Sequence, residues 1–392
     1  MRILYIASGI RLPGTHGGST HTLEVARGLA QRGHEVHVVA RPPGGARSGL
    51  ARSIDGFTLH YLNLPKALAL PGYPAVRTLV RRLQPDALME RYYNFAGAGV
   101  LAAHKAGIPV LLEVNALIVD PPAILKRRLD DRLGGPMRRW AVQQCRWSAR
   151  IVTPLHTTVP PEIEREKIVE LPWGANVERF QAAPAERQRL RAAIRARYAI
   201  DPAQPVLIFL GSFRAWHGVA TAVRAAIRLL GAGHDLHLLL VGDGPERAAV
   251  EALARGWEGR VTCVGSVPHE EVPGYLYAAD IGVAPFDRAG HLALQAAGFF
   301  WSPLKVYEYM AAGLPVVTAA IPPLDQAIRP GIEGLLFREG SVESLAAAVA
   351  QLLRYPDEAR AMGERARIRV AAHYSWQRHC EELERILREI RG

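Results

Sequence analysis

The stretch SPLKVYEYMAAGLPVV, residues 302–317, holds the start of a helix, its end and a buried strand. Its first two residues are typical of a helix start, because an N-cap serine hydroxyl accepts a backbone N–H and a proline at the first helical position loses no hydrogen bond. Gly313 and Pro315 are typical of a helix end, and the apolar residues after them indicate a strand. We therefore predict Ser302 as the N-cap of a helix over 304–312.

Lys305 and Glu308 are the two charged residues of this helix. A cation in the first turn opposes the helix dipole by roughly 0.3–1 kcal/mol, but the free N–H groups there form a ready anion site that the cation would complete. Glu308 lies one turn further along, where its carboxylate is able to accept two sugar hydroxyls. The alternative is a surface ion pair between the two residues at i, i+3 spacing, and the helix alone leaves both interpretations open.

Strand and helix patterns alternate along the whole chain, with six predicted strands in each half. At 392 residues the chain is longer than one ordinary core, so two tandem, doubly wound, Rossmann-like α/β domains are expected, with ligands in the cleft between them. The turn-rich segment LPWGANVERFQAAPAERQ, from Leu171, reads as the connector. We predict domains over 1–180 and 181–374, and a final helix over 375–392 that packs back onto the first domain.

The positive charge lies almost entirely in the first half. Residues 1–180 carry 24 Lys and Arg against 14 Asp and Glu, and the net charge of the whole chain is +11. The charge is densest over residues 126–150, where Trp140 and Trp147 stand among the arginines. This pattern suits a surface of anionic lipid or an acidic acceptor, and equally a solvated arginine-rich face. A nucleic-acid partner is not expected, because no recognition motif accompanies the charge.

Three dispersed cysteines indicate neither a disulfide framework nor a zinc site, and no apolar run reaches ~18 residues. The N-terminal residues read as a first strand rather than a signal peptide. We therefore expect a cytoplasmic protein, associated peripherally with the inner face of the cell membrane.

Several loops follow predicted strands, where ligands of doubly wound sheets bind. Gly17 and Gly18 precede a helix capped near Ser19 or Thr20 and allow close approach of a ligand, although no G-x-G-x-x-G motif is present. Glu113 and Asn115 end another strand on the same side; they orient a sugar hydroxyl or cap a loop.

The second half has three such loops. The loop GSFRAWHG begins at Gly211, and its Arg214 and His217 are spaced to hold a diphosphate. The alternative is that His217 only starts a helix and Trp216 is a packing residue. The glycines of VGDGPER, from Val241, favour a tight turn over a phosphate cradle. After the next strand, the Val267 backbone is able to form hydrogen bonds with the edge of a nucleotide base, while His269 is favoured as a helix cap.

These motifs together resemble glycosyltransferase family 4, whose members are retaining nucleotide-sugar enzymes of the GT-B fold. The likeness covers nearly the whole chain, and the motifs share the family's order and spacing. It is carried by Gly17-Gly18 with RGHEVHVV, by LPWGANVERF, by GSFRAWHGV, by VGDGPER and by KVYEYMAAGLPVV.

The resemblance implies that Glu308 accepts the nucleotide ribose hydroxyls and that Arg214, Lys305 and backbone N–H groups near Ser302 hold the diphosphate. It implies no metal, in keeping with the absence of an Asp-x-Asp motif, and no cofactor besides the nucleotide-sugar co-substrate. The candidate catalytic residues are Glu113, Asn115, Arg214, Lys305 and Glu308, and the candidate donor-binding residues are Gly17, Gly18, Gly211, His217, Val267, His269, Ser302, Pro303 and Leu304.

Four positions, in three motifs, depart from the family pattern. Ser212 and His217 replace the usual arginine and lysine, Phe300 stands where the first of two paired glutamates is expected, and Asn115 stands where a histidine is common. These departures imply a subfamily with its own sugar and acceptor, or reduced activity.

The function expected from the resemblance is retaining, metal-independent sugar transfer from a nucleotide diphosphate to an acceptor on the basic first domain. A lipid-linked or polysaccharide precursor of the cell envelope is the preferred acceptor, ahead of a small metabolite. Two alternatives stay open, namely an isomerase like the nucleotide-sugar 2-epimerases and a non-catalytic nucleotide-sugar-binding subunit.

Overall fold

The chain forms two compact units in a computed structural model that describes residues 1–14, 17–43, 51–64 and 69–392. The first unit comprises Met1–Trp173, Phe300–Ser302 and Trp376–Gly392, and the second comprises Gly174–Phe299 and Pro303–Ser375. Each unit is built around one sheet. In the described residues, no helix combines the length and the apolar character that crossing a membrane requires.

The first unit contains an eight-stranded sheet in the order β3-β4-β2-β1-β5-β6-β7-β8, parallel except for the β3–β4 pair. Its strands are β1 Arg2–Arg11, β2 Glu35–Arg41, β3 Ala51–Ile54, β4 Phe57–Tyr61, β5 Ala87–Arg91, β6 Val110–Glu113, β7 Arg150–Thr153 and β8 Ile168–Glu170. Its helices are α1 Gly17–Gln31, α2 Tyr73–Leu83, α3 Ala98–Ala106, α4 Leu125–Arg132 and α5 Pro136–Trp147, together with the C-terminal helix Trp376–Arg391.

Side chains of β1 alternate between two apolar layers, one on each face of the sheet. Leu4 and Ile6 enter the layer that contains residues of α2, α3 and α5, whereas Ile3 and Tyr5 enter the layer that contains residues of α1. The C-terminal helix completes this second layer with Leu383, Ile386 and Leu387, so part of the first unit's core comes from the end of the chain.

The second unit contains a six-stranded parallel sheet in the order β11-β10-β9-β12-β13-β14. Its strands are β9 Val206–Leu210, β10 His237–Val241, β11 Val261–Gly265, β12 Ile281–Ala284, β13 Val316–Ala319 and β14 Gly334–Phe337. Its helices are α6 Pro184–Arg197, α7 Val219–Gly231, α8 Arg247–Ala254, α9 Val272–Ala278, α10 Leu292–Ala297, α11 Leu304–Ala312, α12 Leu324–Ala327, α13 Val342–Arg354 and α14 Pro356–His373; the C-terminal helix of the first unit is α15.

The predicted fold of two doubly wound parallel sheets is confirmed. The sequence missed β3, whose residues are largely exposed and include Arg52, and β8, which has only three residues. Because all strands of the second sheet are parallel, the loops after β9, β10 and β11 leave the same edge.

Candidate functional site

Lys305 is a buried cation in the first turn of α11. The residue is 8% exposed, and its Nζ lies 4.1 Å from the centroid of the Phe209 ring and 5.0 Å from that of Phe286. Among the described residues, nothing accepts a hydrogen bond from Nζ. Burial lowers the pKa of Lys305 to about 7, against a smaller opposing effect of Glu308. The ammonium is therefore held by aromatic faces without a paired anion.

Glu308 lies one turn further along α11, and its side chain is 18% exposed. Burial raises the pKa of this carboxyl to about 7, although Arg179 and Lys305 both oppose the rise. The carboxylate lies 3.9 Å from Nε2 of His269. The surface ion pair considered from the sequence does not form, because Lys305 is buried and no ion pair joins it to Glu308 among the described residues.

The loop after β9 brings Gly211 close to the ammonium of Lys305. With a φ of +132°, Gly211 would place a Cβ atom 3.0 Å from Nζ, so only glycine fits here without displacing Lys305. The neighbouring turn of VGDGPER packs tightly on this loop, since a Cβ at Gly242 would lie 1.9 Å from the Gly211 carbonyl oxygen. That contact favours the tight-turn interpretation of the motif.

His217 ends a short 3₁₀ turn that precedes α7. Its Nδ1 donates a hydrogen bond to the Ser212 carbonyl oxygen at 2.5 Å, and burial, with a further contribution from Lys305, lowers its pKa to about 3. The imidazole is thus neutral at pH 7 and presents Nε2 as an acceptor, which suits a ligand hydroxyl better than the diphosphate oxygen proposed from the sequence. Arg214, three residues earlier, is exposed.

Val267 is half-buried in the loop after β11, and His269 is exposed beside Glu308. The predicted role of His269 as a helix cap is wrong, because α9 begins at Val272 with Glu271 before it. Sequence reasoning missed Arg179, an exposed cation that acts electrostatically on both Glu308 and His269. Arg179 lies at the end of LPWGANVERF, which the sequence identifies as a connector and a family motif without indicating a role for this arginine.

The start of α11 also differs from the prediction. The helix covers the predicted residues 304–312 and ends at Gly313 in the left-handed region, but its N-cap residue is Pro303, not Ser302. The Ser302 hydroxyl instead accepts a hydrogen bond from the backbone N–H of Trp173 at 2.8 Å, within the first unit. Ser302 therefore leaves the first N–H groups of α11 without a capping side chain.

Glu113 is the centre of a buried polar network at the end of β6. Its carboxylate accepts hydrogen bonds from Nη1 of Arg91 at 2.8 Å, from the Tyr5 hydroxyl and from the Asn115 amide. Nη1 of Arg91 also lies 3.1 Å from Nδ1 of His21. With its oxygens already bound, Glu113 fits a positioning role for Arg91 and Asn115 better than the direct sugar contact considered from the sequence.

A cavity of about 810 Å³ opens beside this network in the first unit. It is lined by Arg11, Arg41, Arg91 and Asn115, and by Gly18 in the first turn of α1. The predicted cap near Ser19 or Thr20 is wrong, because α1 begins at Gly17 and the Ser19 hydroxyl donates to the Arg11 carbonyl oxygen at 3.0 Å. No local sequence pattern groups these three arginines, because they come from three strands.

The basic segment over residues 126–150 differs from its predicted form. Trp140 donates its indole N–H to the Ala96 carbonyl oxygen at 2.7 Å, and Trp147 stacks on His104, so both tryptophans pack within the first unit rather than outward. Three leucines at i, i+4 and i+8 spacing are exposed instead, by 68%, 48% and 75%. They are Leu125, Leu129 and Leu133, and they accompany the cations Lys126, Arg127, Arg128 and Arg132.

The structure thus distributes the predicted site residues over two clusters. Lys305, Glu308, Gly211 and His269 lie together in the second unit, with His217 against the same loop. The first unit holds Gly17, Gly18, Glu113, Asn115 and Ser302, and the remaining candidates Arg214, Val267, Pro303 and Leu304 belong to the second unit.

Two family models match the chain. The model described as Glycosyltransferase Family 4 matches residues 15–159, and the model described as Glycosyl transferases group 1 matches residues 204–355, so together they cover about three quarters of the sequence. Two doubly wound parallel sheets and these matches define a sugar-transferring enzyme of the GT-B class. The chain belongs to glycosyltransferase family 4, as its motifs predicted.

Individual relatives agree with this assignment. An alpha-D-kanosaminyltransferase of Streptomyces kanamyceticus is 27% identical over 74% of this chain and 73% of its own length. A D-inositol 3-phosphate glycosyltransferase of Nocardia farcinica is 28% identical over 96% of this chain and 86% of its own length. The structure of HepE from Anabaena in complex with UDP matches with a TM-score of 0.70 at 16% identity, covering 99% of this chain and 100% of that one, which supports the fold.

Proposed function

We propose that this glycosyltransferase takes its sugar from a nucleotide diphosphate donor whose diphosphate binds at Lys305. The observation that carries the proposal is the buried ammonium of Lys305, which has no hydrogen-bond acceptor among the described residues and lies beside Gly211. An unpaired buried cation is costly to a protein, and a diphosphate supplies the missing anion. The UDP named with HepE is consistent with such a donor.

In this proposal the second unit acts mainly through electrostatics. The leaving nucleoside diphosphate gains negative charge as the glycosidic bond breaks, and Lys305, Arg214 and the uncapped N–H groups of α11 stabilise it. Glu308 accepts the ribose hydroxyls. A metal ion is not needed for this charge stabilisation, and the reaction proceeds with retention, in keeping with the family.

The acceptor binds at the first unit. Transfer is favoured over isomerisation or mere binding, because the relatives named above are both glycosyltransferases. The acceptor is a lipid-linked or polysaccharide precursor of the cell envelope. If the protein were an isomerase, an altered nucleotide sugar would form without any acceptor, and product analysis would detect it.

Helix α4 docks the enzyme on an anionic membrane from the cytoplasmic side. The exposed leucines of α4, together with its C-cap residue Leu133, offer an apolar edge that a bilayer interface buries, and the neighbouring cations match anionic headgroups. Arg128 and Arg132 form no ion pair with an acidic residue in the described part of the chain, so their charge is available to lipid.

Glu308→Gln tests the donor site, because the amide keeps the shape of the side chain but loses the charge that strengthens two ribose hydrogen bonds. We expect kcat/KM to fall about 100-fold or more with the nucleotide sugar selected from a thermal-shift panel of UDP and GDP sugars. The matched control, Glu358→Gln on exposed α14, should keep the parent rate within about twofold. Equal rates for both variants would refute the site.

A further inference from the structure

We infer that the cavity of the first unit binds a phosphate group carried by the acceptor, with Arg11 and Arg41 as its principal cations. The inference rests on the proposed function, because it names the class of acceptor that the first unit receives. It concerns a different unit from the donor site at Lys305, so the two proposals can fail separately.

Charge in and around the cavity is strongly one-sided. Three arginines line it, and no Asp or Glu is among its described lining residues. Neither Arg11 nor Arg41 forms an ion pair within the described ranges, and segments 15–16, 44–50 and 65–68 contain no acidic residue by sequence. The Arg41 guanidinium donates to the neutral side-chain oxygen of Asn63, at 3.1 Å. Two arginine charges therefore remain for a ligand.

The third arginine is held rigidly by the protein. Arg91 is 4% exposed, and its guanidinium binds the Glu113 carboxylate at 2.8 Å and the Tyr93 hydroxyl at 3.2 Å. Its charge is thus largely balanced by Glu113, while its orientation is fixed. Burial opposes ionisation, but the Glu113 carboxylate and two tyrosines outweigh it and raise the pKa of Arg91, so the group stays charged.

Gly18, in the first turn of α1, lies beside the guanidinium of Arg91. A Cβ at this position would lie 3.8 Å from Nη2 of Arg91 and 2.9 Å from Cδ1 of Ile10. Any larger residue would cover part of the arginine and crowd the cavity wall. Because Nη1 and Nε of Arg91 already bind protein groups, the bare backbone at Gly18 leaves Nη2 as the atom that a phosphate oxygen would contact.

The same charge excludes other acceptor classes. An amine-bearing acceptor would be repelled by Arg11 and Arg41, and a neutral sugar would leave both charges unused. The cavity volume of about 810 Å³ accommodates a phosphorylated ring rather than a phosphate ion alone. The ligand chemistry is the phosphate ester itself, carried either by a water-soluble compound or by a lipid headgroup.

Calorimetric titration of the full chain with myo-inositol 1-phosphate, myo-inositol and inorganic phosphate tests the inference. We expect the phosphate ester to bind at least about tenfold more tightly than the unphosphorylated ring. The double variant Arg11→Gln, Arg41→Gln should lose at least about tenfold in this affinity. The control Arg52→Gln, an exposed arginine on β3 outside the cavity, should stay within about twofold.

Vesicles that contain phosphatidylinositol or phosphatidylcholine distinguish the two sources of the phosphate. If the parent chain binds only the phosphatidylinositol vesicles and the double variant does not, the phosphate belongs to a lipid headgroup. Binding of the soluble ester alone assigns a free acceptor; either result supports the inference. Equal affinity for the phosphorylated and unphosphorylated rings, or an equal loss in Arg52→Gln, overturns it.

The thermal shift with UDP and GDP sugars distinguishes this inference from the proposed function. The double variant should show the same thermal shift as the parent chain. If the double variant loses nucleotide-sugar binding instead, the cavity holds donor phosphate and the inference is wrong. If the parent chain binds no nucleotide sugar but binds the phosphate ester, the proposed donor site fails and the cavity assignment stands.

Discussion

At the scale of single residues, the proposed donor site of the second unit depends on Lys305. Its ammonium is surrounded by the rings of Phe209 and Phe286, which hold a cation less strongly than a carboxylate in direct contact would. The free protein is therefore less stable than it would be with an apolar side chain at this position. A bound anion relieves that cost, which couples binding to stability.

Lys305→Met should stabilise the ligand-free protein, and the gain should depend on pH. Below pH 7 the lysine is charged in both folded and unfolded chains, so the folded state bears the full cost of burying the charge. Between pH 7 and 10.5 only the unfolded chain keeps the proton, so the parent gains about 1.4 kcal/mol relative to the variant per pH unit. Denaturant unfolding of both proteins from pH 6 to 9 measures this difference.

Lys105→Met provides the control for that comparison. Lys105 also lies over an aromatic ring, 5.4 Å from the centroid of Tyr73, but it is exposed. Its replacement should change the free energy of unfolding by less than about 0.5 kcal/mol, without a trend over this pH range. A pH-independent difference between the parent and Lys305→Met would mean that the lysine is not strained by burial.

At the scale of elements, helix α4 carries the proposed membrane contact. Replacing Leu125 and Leu133 by glutamine should reduce recovery on anionic vesicles in flotation at least about tenfold. These two leucines are the most exposed of the three, so they bury the most apolar surface when the helix enters the bilayer interface. The single substitution Leu292→Gln, at an exposed leucine of α10, should leave recovery unchanged. Equal recovery of the parent on anionic and zwitterionic vesicles would contradict the charge contribution.

Element patterns also explain what the sequence was able to predict. The helix over residues 304–312 was predicted correctly because its apolar period, Gly313 and Pro315 all agree, whereas its cap was misassigned by one residue because Ser302 bonds to Trp173 instead. Strand β3 was missed because it is an exposed edge strand without an apolar run. Local patterns thus identified buried elements, but not the partners that tertiary contacts supply.

At the scale of the whole molecule, the two units differ in charge and in the kind of group they present. The sequence singled out Lys305 and Glu308 as donor-site candidates, because they lie within one short motif, and their donor role stays a prediction. It did not predict the arginine cavity, since Arg11, Arg41 and Arg91 end three strands that are adjacent only in the folded sheet. Their grouping follows from the strand order, which no local pattern contains. The assignment of donor and acceptor to separate domains remains a prediction.

Calorimetry of nucleotide-sugar binding at pH 8, in buffers of different ionisation enthalpy, tests most directly whether a diphosphate binds at Lys305. A nucleotide sugar is a diphosphate diester without a group that titrates near this pH, whereas free Lys305 has a pKa of about 7. Binding should therefore take up close to one proton in the parent and none in Lys305→Met, and affinity should fall about tenfold per pH unit above 7. Tight binding without proton uptake, or identical uptake in the variant, would contradict a diphosphate site at this lysine.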